Sequence, residues 1–241
     1  MNLLIWRIVG RASAPAQRRP LPSAVLTVGP AFRHESLPPE VALLLPTTAG
    51  ADGLSAALAT MPATGLATGL ERFADRALGL FLADPFLNIA GQVSRLRRAG
   101  VTSVANLPTV EQQDVDFAQQ LADVGLDFTR EVDHLGRFRR AGFNVIAAVA
   151  GTAAAAAVRP LDPQAVVVIP RIADFAAGFP SFRRRGAIAR EVAATVRAAG
   201  WQGPLLGLAT AGEAAHETLW PEVLDGVLCR PEPLPAQDLI P

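Results

Sequence analysis

The stretch REVDHLGRFRRAGFNVIAAV, Arg130 to Val149, decides the fold. Its first part, Arg130–Ala141, has apolar residues at helical spacing, arginines near its end and Gly142 placed as a C-cap, so it reads as a helix. Two residues later Asn144–Val149 is a continuous apolar run. Such a run fits a strand covered on both faces rather than one with a wet side. A helix handing over to a doubly covered strand is the repeating unit of a parallel α/β protein.

The same rhythm extends outward in both directions. Strands are expected at Ala24–Val28, Val41–Leu45, Leu78–Ala83, Ser103–Leu107, Asn144–Val149, Ala165–Ile169, Leu205–Ala209 and Gly226–Cys229. Between them fall the helical segments Phe86–Ala99, Asp114–Val124, Arg130–Ala141 and Ile188–Ala199, stopped by Gly100, Gly125, Gly142 and Gly200. Weaker helical pieces lie at Ala153–Ala157, cut off by Pro160, and at Pro30–Pro39. An open doubly wound sheet would carry a Gly-rich phosphate loop after its first strand, but Val28-Gly29-Pro30-Ala31 stands there. Eight strand–helix alternations therefore predict an α/β single domain, a (β/α)8 TIM barrel over residues 21–235. A short, poorly structured arm at 1–20 and a tail at 236–241 complete the chain.

Composition narrows the function. The 241 residues are 50% hydrophobic and only 18% charged, and 22 basic side chains cancel 22 acidic ones. That balance excludes a disordered chain and a nucleic-acid platform, which needs a basic excess. All the cations are arginines, so Schiff-base and P-loop lysine chemistry are excluded. One cysteine, Cys229, excludes an intrachain disulfide and reads as a small buried hydrophobe late in a strand. No apolar run is long enough to cross a bilayer, so no membrane partner is expected. Near the N-terminus Arg7 and Arg11 follow the apolar Leu3–Trp6 run instead of preceding it, the wrong order for a secretory signal. A cytoplasmic protein is the expectation, with a cleaved targeting segment as the alternative.

His34, His134 and His216 match no metal-ligand spacing, and there is no nucleophile elbow. The Arg183-Arg184-Arg185 run reads as the solvated start of a helix, where cations oppose the dipole. Trp201 and Trp220 are expected to cover the flank of the barrel, with a homo-oligomer surface as the alternative.

Three motifs in fixed order carry a family likeness: Ala83-Asp84-Pro85-Phe86, then Val104-Ala105-Asn106-Leu107-Pro108-Thr109-Val110, then Gly125-Leu126-Asp127-Phe128-Thr129-Arg130-Glu131-Val132-Asp133. They resemble the T-D-P-F, V-Q-N-F-P-T-V and G-Y-x-x-E-V-E segments of the TIM-barrel family described as phosphoenolpyruvate hydrolase-like. The resemblance spans Asp84 to about Ala157 and implies a (β/α)8 fold with its site at the C-terminal strand ends. It also implies lyase or hydrolase chemistry on a small carboxylate or phosphorylated, enolate-forming substrate. Elsewhere the chain departs from the pattern. Val28-Gly29-Pro30 and Pro46-Thr47-Thr48-Ala49-Gly50 replace Gly-rich strand ends, while Pro170-Arg171, Ala209-Thr210-Ala211-Gly212 and Cys229-Arg230-Pro231 stand where His- and Gly-containing ends are expected. Both imidazoles and most of the amide cradle for an anion are missing. A barrel that has lost catalysis and binds a ligand or partner is therefore the alternative function.

The candidate site residues follow from strand ends. Asp84, as a carboxylate, suits a general base or a Mg²⁺ ligand, with an N-cap as its structural alternative. Asn106 suits orienting a substrate carboxylate or carbonyl, or satisfying the turn around Pro108. Thr109 and Glu111 are expected to begin the helix that follows strand four, with Thr109 as its cap. Glu131 and Asp133 diverge on a helix; Glu131, nearer the start, could reach the barrel mouth, the alternative being that both complement the helix N-terminal dipole. Arg171 and Arg230 could grip a small anionic molecule in place of the lost cradle, or pair with Asp174 and Glu232. Thr47, Thr48 and Thr210 are candidate hydroxyl contacts.

Overall fold

The computed structural model describes residues 3–12, 20–28 and 75–230. The strand expected at Val41–Leu45, the turn at Pro30–Pro39, and Thr47, Thr48, His34 and the tail lie outside the described residues. Eight strands close a barrel in sequence order. They are β1 (Leu3–Gly10), β2 (Ala24–Val28), β3 (Arg76–Gly79), β4 (Ser103–Ala105), β5 (Asn144–Val149), β6 (Ala165–Val168), β7 (Leu205–Ala209) and β8 (Gly226–Cys229). The α-helices are α1 (Ile89–Arg98), α2 (Val115–Asp123), α3 (Phe128–Arg140), α4 (Thr152–Val158), α5 (Phe182–Ala198) and α6 (Ala211–Ala214). The expected α/β barrel is present.

Its eight strands are not the expected eight. Leu3–Gly10, which the sequence places in the arm, is β1, and it runs antiparallel to both neighbours, pairing Leu3 with Val28 and Ile8 with Leu228. The remaining strands are parallel from β2 to β8, with β2 and β3 paired directly. The physical reason lies in the pattern of β1. Trp6 is fully buried and donates its indole N–H to Thr27 Oγ1 at 2.9 Å, while Ile5 and Arg7 are exposed. The sequence of β1 is an apolar run broken by Arg7, and only pairing with β2 and β8 sets which of its residues are wet, so local pattern does not separate it from an arm. Arg11 fastens the end of this strand. Its guanidinium donates to the Leu224 and Pro221 carbonyls at 3.0 and 3.2 Å and lies 5.6 Å from the Trp220 ring centre.

Two apolar shells follow from strand alternation. Ala105, Leu107, Ile146, Ala148, Val167 and Ile169 fill the barrel interior. Val104, Val145, Val149 and Val166 face outward against Leu135 and Phe138 of α3 and Val192 and Val196 of α5. Gly79 faces the crowded interior, where a Cβ would sit 2.5 Å from the Leu107 carbonyl oxygen, so no larger residue fits without displacement. The four expected helix stops, Gly100, Gly125, Gly142 and Gly200, all take positive φ, between 73° and 90°. Trp201, Trp220 and Cys229 are buried in the outer shell, as the sequence suggests. α5 begins six residues before its expected start, capped by Ser181, so Arg183–Arg185 lie within its first turn.

Candidate functional site

The C-terminal ends of β3 to β8 place loops 80–88, 106–127, 169–181 and the residues after β7 and β8 around one face. Strand parity decides which side chains reach the barrel mouth. On β4, Ala105 and Leu107 belong to the interior shell, so Asn106 between them faces outward toward α3. At the ends of β6 and β8, Ile169 and Leu228 are interior, and Arg171 and Arg230 each follow two residues later. The ladder persists to Arg230, whose N–H donates to the Ala209 carbonyl at 2.8 Å.

Asn106 and Glu131 meet in a buried knot. Asn106 Oδ1 accepts from the Ala148 N–H at 2.8 Å, and its Nδ2 donates to the Ala148 carbonyl at 3.0 Å, so the amide extends the β4–β5 ladder by one rung. The same Nδ2 donates to Glu131 Oε2 at 2.8 Å, and Thr109 Oγ1 donates to that oxygen at 2.7 Å. Glu131 Oε1 accepts from the Val110 N–H at 2.9 Å. All three side chains have no exposed surface. Burial pushes the Glu131 carboxyl up to about 7, against the pull of the hydrogen bonds from Asn106, Thr109 and Val110. Thr109 also accepts from the Glu111 N–H at 3.3 Å and so is a cap, but of the 3-10 turn Val110–Gln112, not of the following helix, which Asp114 caps.

Asp84 stands apart from this knot. Its Oδ1 accepts from the Phe86 N–H at 2.8 Å in an Asx turn, and the cap of α1 is Asn88. Among the described residues no group of three or more His, Cys, Asp or Glu side chains gathers that could hold a metal. A cation at Asp84 would therefore take most of its ligands from water or substrate. Asp133 pairs with Arg137 at 2.9 Å on the surface of α3, well separated in direction from Glu131. His134 is buried, with Nδ1 2.7 Å from the Leu82 carbonyl oxygen, and burial is the main cause that lowers its pKa. Thr210 is occupied in a capping box with Glu213 at the start of α6.

The arginines form the rim. Arg171 pairs with Glu111 at 3.6 Å, while Asp174, expected as its partner, is taken by Arg184 at 2.9 Å. The Arg171 side chain is 40% exposed. Burial raises the Glu111 carboxyl above its ordinary value and Arg171 opposes the rise. Arg230 lies 4.6 Å from the centre of the Phe179 ring. Phe179 packs on the interior shell and edge-on against Phe175, with centroids 6.0 Å apart, so these two aromatics cover the interior beneath Arg230.

Sequence reasoning missed two participants. Arg185, grouped with a solvated run, is buried; it donates to the Pro180 and Leu208 carbonyls and to Glu213, and lies 4.5 Å from the Phe179 ring centre. Only its immediate neighbours Arg183 and Arg184 are exposed. No local pattern separates the three. Glu111 was visible only as a residue at the start of a helix.

Residues 75–176 match the family model described as phosphoenolpyruvate hydrolase-like. The match covers β3 to the turn after β6, and so all three motifs and Arg171. No curated protein matches the chain.

Proposed function

From the premise that residues 75–176 belong to the phosphoenolpyruvate hydrolase-like family, we propose that the protein is an enzyme acting on a small anionic substrate at the C-terminal face of the barrel. The substrate is a carboxylate or phosphorylated acid that forms an enolate, and the reaction is of lyase or hydrolase type. The observation that supports this reading is the position of Arg171 and Arg230, each two residues beyond an interior side chain, Ile169 and Leu228, at the C-terminal ends of β6 and β8. Guanidinium forks at that position suit a carboxylate or phosphoryl group. In this reading Asn106 and Glu131 do not touch substrate. They fix the 107–112 loop, while Asp84 shapes the neighbouring loop and offers its second oxygen to solvent or a cation.

Thermal denaturation with phosphoenolpyruvate, oxaloacetate or pyruvate, with and without Mg²⁺, tests the site. The midpoint should climb with ligand concentration in the wild type. It should stay flat in the Arg171→Ala, Arg230→Ala double variant, and phosphate or pyruvate release should follow the same pattern. No shift with any of these acids, or an equal shift in the double variant, overturns the reading.

A second reading, a barrel that binds such a ligand without turnover, is favoured by one observation. The Asn106–Thr109–Glu131 knot has each carboxylate oxygen already bonded within the protein. Stabilisation by ligand without product release would select it.

A further inference from the structure

Resting on the anion site just proposed, we infer that Glu111 is the proton-transfer residue at that site and that Arg171 is shared between Glu111 and the substrate carboxylate. Glu111 and Arg171 come from loops after two different strands, β4 and β6, and meet at 3.6 Å, a charge contact longer than a hydrogen bond. The pair is partly accessible, with 19% of the Glu111 and 40% of the Arg171 side chain exposed. Among the carboxylates of the candidate site it is the one both reachable and paired with a rim cation. Glu131 is sealed, and Asp84 is folded into its own turn.

The turn that presents Glu111 is rigidly supplied. The Val110 N–H binds Glu131, the Glu111 N–H binds Thr109, and Gln112 Nε2 reaches the Pro170 carbonyl at 3.4 Å, next to Arg171. Gln112 Oε1 is buried without a hydrogen-bond partner among the described residues. Burial and Arg171 pull the Glu111 carboxyl in opposite directions, so engagement of Arg171 by an incoming carboxylate would strengthen Glu111 as a base.

The step is simple. With pyruvate, Glu111 takes a proton from C3, the C–H electron pair becomes the C2–C3 double bond of the enolate, and negative charge moves to the C2 oxygen. The reverse step returns a proton, or a deuteron in D₂O, to C3. When phosphoenolpyruvate loses its phosphoryl group to water, the same protonated Glu111 would deliver the proton that converts the enolate to pyruvate.

The experiment follows the pyruvate methyl signal by proton NMR in D₂O, beside the thermal shift that pyruvate produces. The wild type should exchange the methyl protons faster than buffer. Glu111→Gln should lose that acceleration at least tenfold while keeping its thermal shift, and Arg171→Ala should lose the shift. Exchange at the wild-type rate in Glu111→Gln overturns the inference. So does wild-type binding without accelerated exchange, or loss of both exchange and thermal shift in Glu111→Gln. If no acid shifts the wild type, the anion site itself falls and the inference with it.

Discussion

Two polar clusters sit within a few residues of each other on the 106–112 loop, and they answer to opposite rules. The Asn106–Thr109–Glu131 knot faces the helical shell, is sealed from water, and has its carboxylate bonded on both oxygens. The Arg171–Glu111 pair stands at the rim, partly wet, and is held by a single long charge contact. The difference teaches that side-chain parity, not proximity to a strand end, decides whether a polar residue is sealed against the helical shell or left at the rim. Asn106 is one residue past β4 and faces out, while Arg171 and Arg230 each follow an interior residue by two.

The sharpest way to break that division is to remove the carboxylate of the knot. Glu131→Ala strands the Asn106 amide, the Thr109 hydroxyl and the Val110 N–H in a dry cavity. It should cost about 3–5 kcal/mol of stability, read from urea unfolding. A loss near that of an ordinary surface substitution would mean that the knot is not sealed.

The second test is the pH dependence of that knot. Glu131 holds its proton to about pH 7 in the folded protein, against an ordinary value of 4.5. Between those values the folded state binds the extra proton, so stability falls as pH rises and the loss is complete above 7. The total is roughly 3 kcal/mol, and it should vanish from the unfolding profile of Glu131→Gln. An unchanged slope in that variant would assign the effect to another group.

At the rim the expected stability effects are small and the binding effects large. Arg171→Ala should change unfolding free energy by only about 0–1 kcal/mol, as for an exposed ion pair, while abolishing stabilisation by small acids. Phe179→Leu should have the mildest consequence for the arginines. Loss of the aromatic face beneath Arg230 should weaken ligand binding by about 0.5–1 kcal/mol, measured by titration calorimetry. A collapse of the fold in Arg171→Ala would erase the distinction between the two clusters.

The barrel was largely legible because parallel strands buried on both faces leave continuous apolar runs, and Asn144–Val149, Leu205–Ala209 and Gly226–Cys229 match their expected bounds. β1 was not legible, since its apolar run is interrupted by Arg7 and its role depends on antiparallel pairing with strands far along the chain, β8 above all. The candidate site was legible as residue names and less so as roles. Glu131 and Asp133 were separated correctly by helical geometry, and Thr109 by its capping pattern, but nothing local shows that Arg171 would choose Glu111 over Asp174.

The sequence by itself determined the repeating unit, the helix stops and the three motifs, because each depends on contacts within a few residues or on one period. Tertiary structure alone decided which strand closes the ring, which arginine of 183–185 is buried, and which carboxylate meets a rim cation. Those choices depend on groups brought together from distant parts of the chain, where burial and charge act through space and leave no mark on local spacing.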